Sequence, residues 1–179
     1  MTRTAWVLGA VSLLTATAAA AGHPQGTTVA QKDAVATVES RSGSKVAGTV
    51  VFTSTPGKVT MKVDLTGLTP GQHAIHLHEK GDCSDPEAKS AGPHWNPTNA
   101  QHGRWGEGSF HLGDIGNLVA NAAGEATLTF TTDAWTVGDG AATDVVGRSV
   151  VVHDKVDDFH TQPTGNAGGR VGCGVIRVR

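Results

Sequence analysis

The sequence predicts an all-β protein, an antiparallel sandwich or Greek-key barrel with two long loops. Three observations support this prediction. The 179-residue chain contains 24 glycines, which favours a turn-rich β fold over a helical one. Short alternating or β-branched runs recur between Gly, Pro, Asn and Ser, as in antiparallel sheets. No long segment shows the 3.6-residue period of a helix.

Six segments carry the strand pattern, and two long connections separate some of them. The strand segments are Val46–Phe52, Val59–Leu65, Ala74–His78, Ala126–Phe130, Ser149–His153 and Gly174–Val178. The long connections are Glu79–Asn117 and Asp154–Gly172. Compact domains seldom keep loops of this length unless the loops are functional. Each loop here begins directly after a histidine, so we expect both to contribute to a site.

The first residues have the composition of a secretory signal. Arg3 precedes the apolar run Ala5–Leu14, and Ala18–Ala21 offers a small-residue cleavage site. The run is too short to cross about 30 Å of hydrocarbon, which favours a cleaved signal over an uncleaved anchor. We therefore expect a signal peptide at 1–21, a mobile tail at 22–33 and one domain at 34–179, with no membrane span after cleavage. The periplasm or cell envelope is the expected location, with the extracellular medium as second choice.

Charge and cysteine content narrow the class of protein further. The formal net charge is −2 and no basic run occurs, so nucleic acid is not an expected partner. In an oxidising compartment Cys83 and Cys173 would pair. Such a disulfide would stabilise the fold by about 4 to 5 kcal/mol in the chain-entropy model. Two buried free thiols, or a cysteine acting as a metal ligand, are the alternatives.

Six histidines and one aspartate are concentrated between positions 76 and 153. They are His76, His78, His94, His102, His111, Asp114 and His153. So many nitrogen donors imply two metal ions rather than one. Each of the other histidines, His23, His73 and His160, is interpreted as an ordinary hydrogen-bonded core or surface residue.

The first ligand set consists of nitrogens alone. On a strand, His76 and His78 project from the same face, while Ile75 and Leu77 point into apolar packing. His153, at the end of another strand, and His94 could complete a set of four imidazoles. Such ligation with an open axial side suits a redox copper.

The second ligand set differs in chemistry. His102, His111 and Asp114 lie in one Gly-rich loop, and with His94 they supply three nitrogens and one carboxylate oxygen. This closed set fits a structural zinc ion. His94 would then serve both ions, because the two ring nitrogens of a deprotonated imidazole point in opposite directions.

The chain resembles the copper, zinc superoxide dismutases, in particular their exported bacterial members. The resemblance rests on Gly71–Cys83, Ser90–Pro97, His111–Asn117, Gly147–Lys155 and Gly165–Gly174. It implies an eight-stranded antiparallel Greek-key β-barrel. It also implies dismutation of superoxide, a small anion, to dioxygen and hydrogen peroxide by alternating reduction and oxidation of a histidine-bound copper.

The resemblance further implies a role for individual residues. The copper ligands would be His76, His78, His94 and His153, and the zinc ligands would be His94, His102, His111 and Asp114. It implies a Cys83–Cys173 disulfide, with Glu79–Asn117 as the disulfide and zinc loop and Asp154–Gly172 as the electrostatic loop. His94 and Arg170 would be the catalytic residues, with Arg170 beside the copper, and Asp157 would bridge His76 and His102.

Other interpretations of the same residues are possible. The domain could be a non-catalytic copper- and zinc-binding module of the envelope, although a metal carrier has no use for an anion guide such as Arg170. A hydrolytic zinc site is disfavoured, because four protein ligands leave no position for water. Trp95 and Trp105 either pack the zinc loop or contact a second subunit, so a homodimer is possible.

Overall fold

The computed structural model describes residues 1–2 and 32–179, and in this part of the chain the fold is all-β. The strands are β1 (Asp33–Ser40), β2 (Ala47–Thr55), β3 (Lys58–Thr66), β4 (Gly71–His78), β5 (Asp114–Ala120), β6 (Ala126–Thr132), β7 (Ser149–His153), β8 (Arg170–Val175) and β9 (Arg177–Val178). One short 3₁₀ helix spans Lys89–Ala91. Strand β1 begins one residue before the predicted domain start. The predicted signal peptide and mobile tail lie almost entirely outside the described residues.

The strands form a nearly closed antiparallel barrel, which confirms the predicted fold class. Their order is β5-β4-β7-β8-β1-β2-β3-β6, and the two-residue β9 pairs with β1. The outermost strands, β5 and β6, contact each other. β3 pairs with β6, and β4 pairs with β7, so the chain crosses between non-consecutive strands as a Greek key requires. Within the described residues, no helix has the length and apolar character to cross a bilayer.

Alternating side chains fill the barrel. In β3, residues Val59, Met61, Val63 and Leu65 are buried and the residues between them are more exposed. Burial of an aliphatic side chain of this size contributes about 1.5 to 3 kcal/mol. The packed barrel therefore provides a rigid scaffold for the two long loops.

Both long loops are shorter than predicted. The first ends before Asp114, where β5 begins, and the second ends before Arg170, where β8 begins. The residues at these strand starts include Asp and Gly, which have low β propensity. Gly174 in β8 illustrates why glycine is needed: a Cβ there would lie 2.6 Å from the backbone oxygen of Thr37. Glycine thus permits the close approach of β8 to β1.

The last predicted strand is divided in two. β8 ends at Val175 and β9 begins at Arg177. Between them Ile176 is buried, donates its N–H to the carbonyl of Arg148 and accepts a bond from Gly147 N–H. The chain therefore changes pairing partner at Ile176.

Candidate metal centre

Strand β4 presents two histidines on one face. Ile75 and Leu77 are completely buried in the barrel core, while His76 and His78 point to the opposite side and are also completely buried. In β7, His153 lies on the same face as Val151, the partner of His76. The imidazole of His153 lies 5.0 Å from that of His76 and 5.6 Å from that of His78, measured between ring centroids.

The first loop folds back against β4 and carries His94 to the same place. His94 forms an isolated antiparallel bridge with His78. Trp95 N–H donates to Leu77 O at 2.8 Å, Gly113 N–H to Trp95 O at 2.9 Å, and Leu77 N–H to Gly113 O at 2.9 Å. A Cβ on Gly113 would collide with Leu77 O, so glycine is required for this approach.

Two groups of potential ligand atoms result, and they share one residue. The first consists of His76, His78, His94 and His153, and the second of His94, His102, His111 and Asp114. In each group the ligand atoms lie within 4.8 Å of one another, and every member is buried. The structure therefore brings together all seven residues that the sequence singled out, with His94 common to both groups.

Some ring nitrogens of the first group have a hydrogen-bond partner and others have none. His76 uses Nε2 to bind Asp157 at 2.8 Å, and His78 uses Nδ1 to donate to Gly92 O at 2.8 Å. The buried nitrogens without a hydrogen-bond partner are His76 Nδ1, His78 Nε2, His94 Nε2 and both nitrogens of His153. An unpartnered buried polar atom costs about 1 to 3 kcal/mol. A cluster of such lone pairs fits a metal with a preference for imidazole.

Burial keeps these imidazoles neutral, the state that can bind a metal. It lowers the pKa of His94 to about 4, with a further lowering by His76, although Asp114 acts in the opposite direction. The pKa values of His78 and His153 lie well below the ordinary histidine value, first because of burial and then because of neighbouring histidines.

Asp114 is the centre of the second group. Its carboxylate lies 2.9 Å from His94 Nδ1, 3.0 Å from His102 Nδ1 and 3.1 Å from His111 Nδ1. It also accepts backbone N–H bonds from Gly103 and His111. Although burial alone would raise the pKa of Asp114, the bonds to His102, His111 and His94 hold it far below its usual range. Three nitrogens facing one carboxylate form a donor set for a cation such as zinc.

Asp157 connects the two groups. One carboxylate oxygen lies 2.8 Å from His76 Nε2 and the other lies 2.9 Å from His102 Nε2. Burial opposes ionisation of Asp157, but these histidines and the N–H of Phe159 outweigh it and lower its pKa. Burial would lower the pKa of His102, whereas Asp114 and Asp157 together raise it to about 9. Asp157 therefore fixes the orientation of one ring from each group.

Arg170, at the start of β8, is half-buried beside the first group. Its guanidinium donates to Ala88 O at 2.7 Å and to Gly92 O at 2.8 Å. Its charge contributes to the low pKa values of His78 and His153. Burial lowers the pKa of Arg170 itself, but a guanidinium retains its positive charge at any physiological pH.

The predicted disulfide is confirmed. Cys83 and Cys173 are bonded, with their Cα atoms 5.8 Å apart, and this bond ties the first loop to β8. Arg41, from the turn after β1, donates two hydrogen bonds to the carbonyl of Cys83, at 3.0 and 2.7 Å. The loop that carries the Ala88 and Gly92 carbonyls is thus held by a covalent bond and an arginine.

The remaining singled-out residues lie outside the two groups. His73 is buried and its Nδ1 donates to His153 O at 2.8 Å, while its Nε2 lies 3.1 Å from the Thr69 hydroxyl, which can donate to it, so His73 supports the backbone of His153. Nothing in the sequence of β4 predicted the contact between His73 and His153. His160 is exposed, and His23 lies outside the described residues.

The two tryptophans of the first loop pack within the chain. Trp95 is 1% exposed, and the partly buried Trp105 contacts an aromatic cluster of Phe110, Phe130 and Trp135. These contacts give both rings a role in packing the loop.

Comparison with known proteins gives a consistent result. A family model described as copper/zinc superoxide dismutase (SODC) matches residues 46–176. Superoxide dismutase (Cu-Zn) of Caulobacter vibrioides is 44% identical over 149 residues, which cover 80% of this chain and 85% of that protein. Extracellular superoxide dismutase (Cu-Zn) of Drosophila melanogaster is 40% identical over 144 residues, 76% of this chain and 78% of that protein. A crystal structure described as the clock protein EA4 superposes with a TM-score of 0.74 at 35% identity, covering 82% of this chain and 94% of that one.

Proposed function

Because the chain belongs to the copper/zinc superoxide dismutase family, we propose that it catalyses the dismutation of superoxide to dioxygen and hydrogen peroxide. Copper and zinc are the cofactors of this activity. The observation that carries the proposal is the position of His94, whose imidazole belongs to both groups of buried ligand atoms. Neither group alone would link a redox site to a second cation.

The donor sets support one metal for each group. His76, His78, His94 and His153 supply only nitrogens and would hold copper. His94, His102, His111 and Asp114 would hold zinc, because three imidazoles and a carboxylate form a closed set without a position for water. When bound, copper supplies one-electron redox chemistry and zinc supplies a fixed positive charge.

His94 is suited to move a proton. Its Nδ1 lies 2.9 Å from the carboxylate of Asp114, and both would bind zinc, so Nε2, which has no hydrogen-bond partner, is the ring nitrogen that can carry a proton. A proton held at Nε2 can be given to superoxide as the latter is reduced, since hydrogen peroxide forms from one superoxide, one electron and two protons. The second proton comes from water. Because Nδ1 is held on the side of Asp114, His94 can accept the next proton at Nε2 in the same orientation.

Arg170 attracts the substrate. The chain has a formal net charge of −2, so the overall field does not favour the approach of an anion. A half-buried guanidinium beside the first group, the four histidines that would hold copper, supplies a local positive potential in a medium of low dielectric constant. A non-catalytic metal-binding module would have no need of this charge, which favours an enzyme.

We place the protein in an exported compartment, the periplasm or cell envelope first and the extracellular medium second. The Cys83–Cys173 disulfide supports this, since structural disulfides persist in oxidising compartments. The predicted signal peptide at residues 1–21 agrees with export.

The proposed function is tested by metal analysis of the mature protein together with dismutation assays of the metal-free, zinc-only and copper-plus-zinc forms. We expect two metal ions per chain and full activity only in the form that holds both. Saturation at a single ion, or equal activity in the zinc-only form, would contradict the proposal.

A further inference from the structure

The two long loops meet at His102. Gln162, in the second loop, accepts a hydrogen bond from His102 N–H at 2.9 Å and donates one to His102 O at 2.8 Å. One side-chain amide thus pairs with both backbone groups of His102, as a neighbouring strand would. The residues lie 60 positions apart in the sequence.

A second contact between the loops lies close by. The Arg104 guanidinium is 3.8 Å from the centroid of the Phe159 ring, well within the range of a cation–π interaction. Arg104 lies two residues after His102, and Phe159 lies two residues after Asp157. The aromatic contact therefore flanks the His102–Asp157 hydrogen bond.

The backbone of Phe159 is in an unusual conformation. Its φ of 63° lies in the left-handed region, which bulky residues rarely occupy. In this conformation Phe159 N–H donates to Asp157 Oδ1 at 2.7 Å while the ring covers Arg104. Strained backbone of this kind persists where surrounding contacts determine it and is common at functional sites.

Together these contacts restrain both the ring and the backbone of His102. Its Nδ1 faces Asp114, its Nε2 faces Asp157, and its backbone is bound by Gln162. We propose that Gln162 and the Arg104–Phe159 pair are positioning residues that hold His102 and Asp157 in the arrangement that binds zinc, and that they slow the release of zinc. This inference rests on the proposed function, which assigns His102 to zinc.

The experiment follows transfer of zinc from the copper- and zinc-loaded protein to a colorimetric chelator at neutral pH. The variants are Gln162→Leu, which removes both hydrogen bonds, and Phe159→Leu, which keeps an apolar side chain but removes the ring. We expect each to release zinc about tenfold faster, the lower end of the effect of residues that support metal ligands. Phe159→Trp retains an aromatic face, so this variant should release zinc as slowly as the wild type.

Glu107→Gln is the matched control for Arg104. The Arg104–Glu107 ion pair is exposed, with a separation of 3.6 Å, so this change removes an ion pair and leaves the guanidinium over the ring. It should not alter zinc release, whereas Arg104→Ala should accelerate it. Because Arg104 and Phe159 act as a pair, the effects of Arg104→Ala and Phe159→Leu should be less than additive in the double variant.

A further measurement separates positioning from general destabilisation. Cobalt(II) in the zinc position should show an altered visible spectrum in Gln162→Leu, a change in ligand geometry that a loss of overall stability alone would not produce. Zinc release at the wild-type rate in Gln162→Leu and Phe159→Leu would refute the positioning role. If the wild-type protein itself binds no zinc at His102, the proposed function fails as well, so the two failures are distinguishable.

Discussion

His78 and Arg170 donate hydrogen bonds to the same oxygen, the carbonyl of Gly92, each at 2.8 Å. The bond from His78 places its ring proton on Nδ1 and directs the lone pair of Nε2 into the group of four histidines that would hold copper. The bond from Arg170 fixes the guanidinium that we propose attracts the substrate. Gly92 has a φ of 75°, a conformation that favours glycine. One short turn therefore positions both a proposed copper ligand and the charge beside it.

Arg170→Glu should slow the capture of superoxide by at least about tenfold, the lower bound for electrostatic focusing in a cleft. The copper content should be unchanged, because Arg170 supplies no ligand atom to the group. Rapid-kinetic measurement of dismutation at several ionic strengths provides the check. Added salt should slow the wild-type enzyme but not the variant. Equal rates in the two proteins would eliminate the guiding role.

Arg170→Lys is the control for geometry. It retains a positive charge but cannot reproduce the forked bonds to Ala88 O and Gly92 O. We expect a rate between those of the wild type and Arg170→Glu, with the salt dependence preserved.

His153→Ala should abolish dismutation while zinc is retained. His153 belongs only to the four-histidine group, and its loss leaves three nitrogens for copper. The metal content of the purified variant, measured beside its activity, should show zinc at the wild-type level and copper reduced. Undiminished activity in this variant would be incompatible with the copper assignment.

Asp114→Ala, unlike His153→Ala, should weaken the binding of zinc. It removes the carboxylate that faces His94, His102 and His111, so zinc affinity should fall by well over about tenfold. The first loop should loosen, since Gly103 N–H and His111 N–H lose their acceptor. Competition with a zinc chelator and amide hydrogen exchange of residues 102–113 test both effects. Zinc retained at the wild-type affinity would exclude Asp114 as a ligand.

Much of the site could be predicted because its signals are local. The i, i+2 spacing of His76 and His78 needs only the alternation of a strand, and His111 and Asp114 lie within one turn of loop. The start of β5 at Asp114 could not be predicted in the same way. Asp114 and Gly116 are poor strand residues, and they become strand because β4 offers them pairing partners, Asp114 opposite His76 and Gly116 opposite Ile75.

Apart from the His102–Asp157 contact, which the family resemblance implied, the contacts between the two long loops were also beyond the reach of sequence patterns. The amide of Gln162 binds the backbone of His102, and this pairing leaves no periodicity in either segment. Likewise, His73 supports His153 through a backbone carbonyl 80 positions away. Such contacts depend on how the loops fold over the barrel, which only the structure shows.

The metal-free protein should lose stability as the pH falls from about 6.5 to 5. Burial lowers the pKa of His94 to about 4, below the value of about 6.5 in an unfolded chain. Between these values the unfolded state binds more protons, so the free energy of unfolding falls by about 1.4 kcal/mol per pH unit for this residue. His94 alone predicts a loss of about 2 kcal/mol over this window, and His78 and His153 act in the same direction.

The other titrating groups of the centre do not reverse this trend. The pKa of His102 is raised to about 9, so its contribution is present below about pH 6.5 and is lost progressively as the pH rises from there through 9. Asp114 and Asp157 have lowered pKa values, and their contributions are lost only below about pH 4. Denaturant unfolding of the metal-free protein between pH 6.5 and 5, where His102 contributes little slope, measures the effect. His94→Gln should reduce the slope by the contribution of one titrating group, about 1.4 kcal/mol per pH unit. A stability that does not depend on pH in the wild type would show that these histidines are not buried as neutral rings.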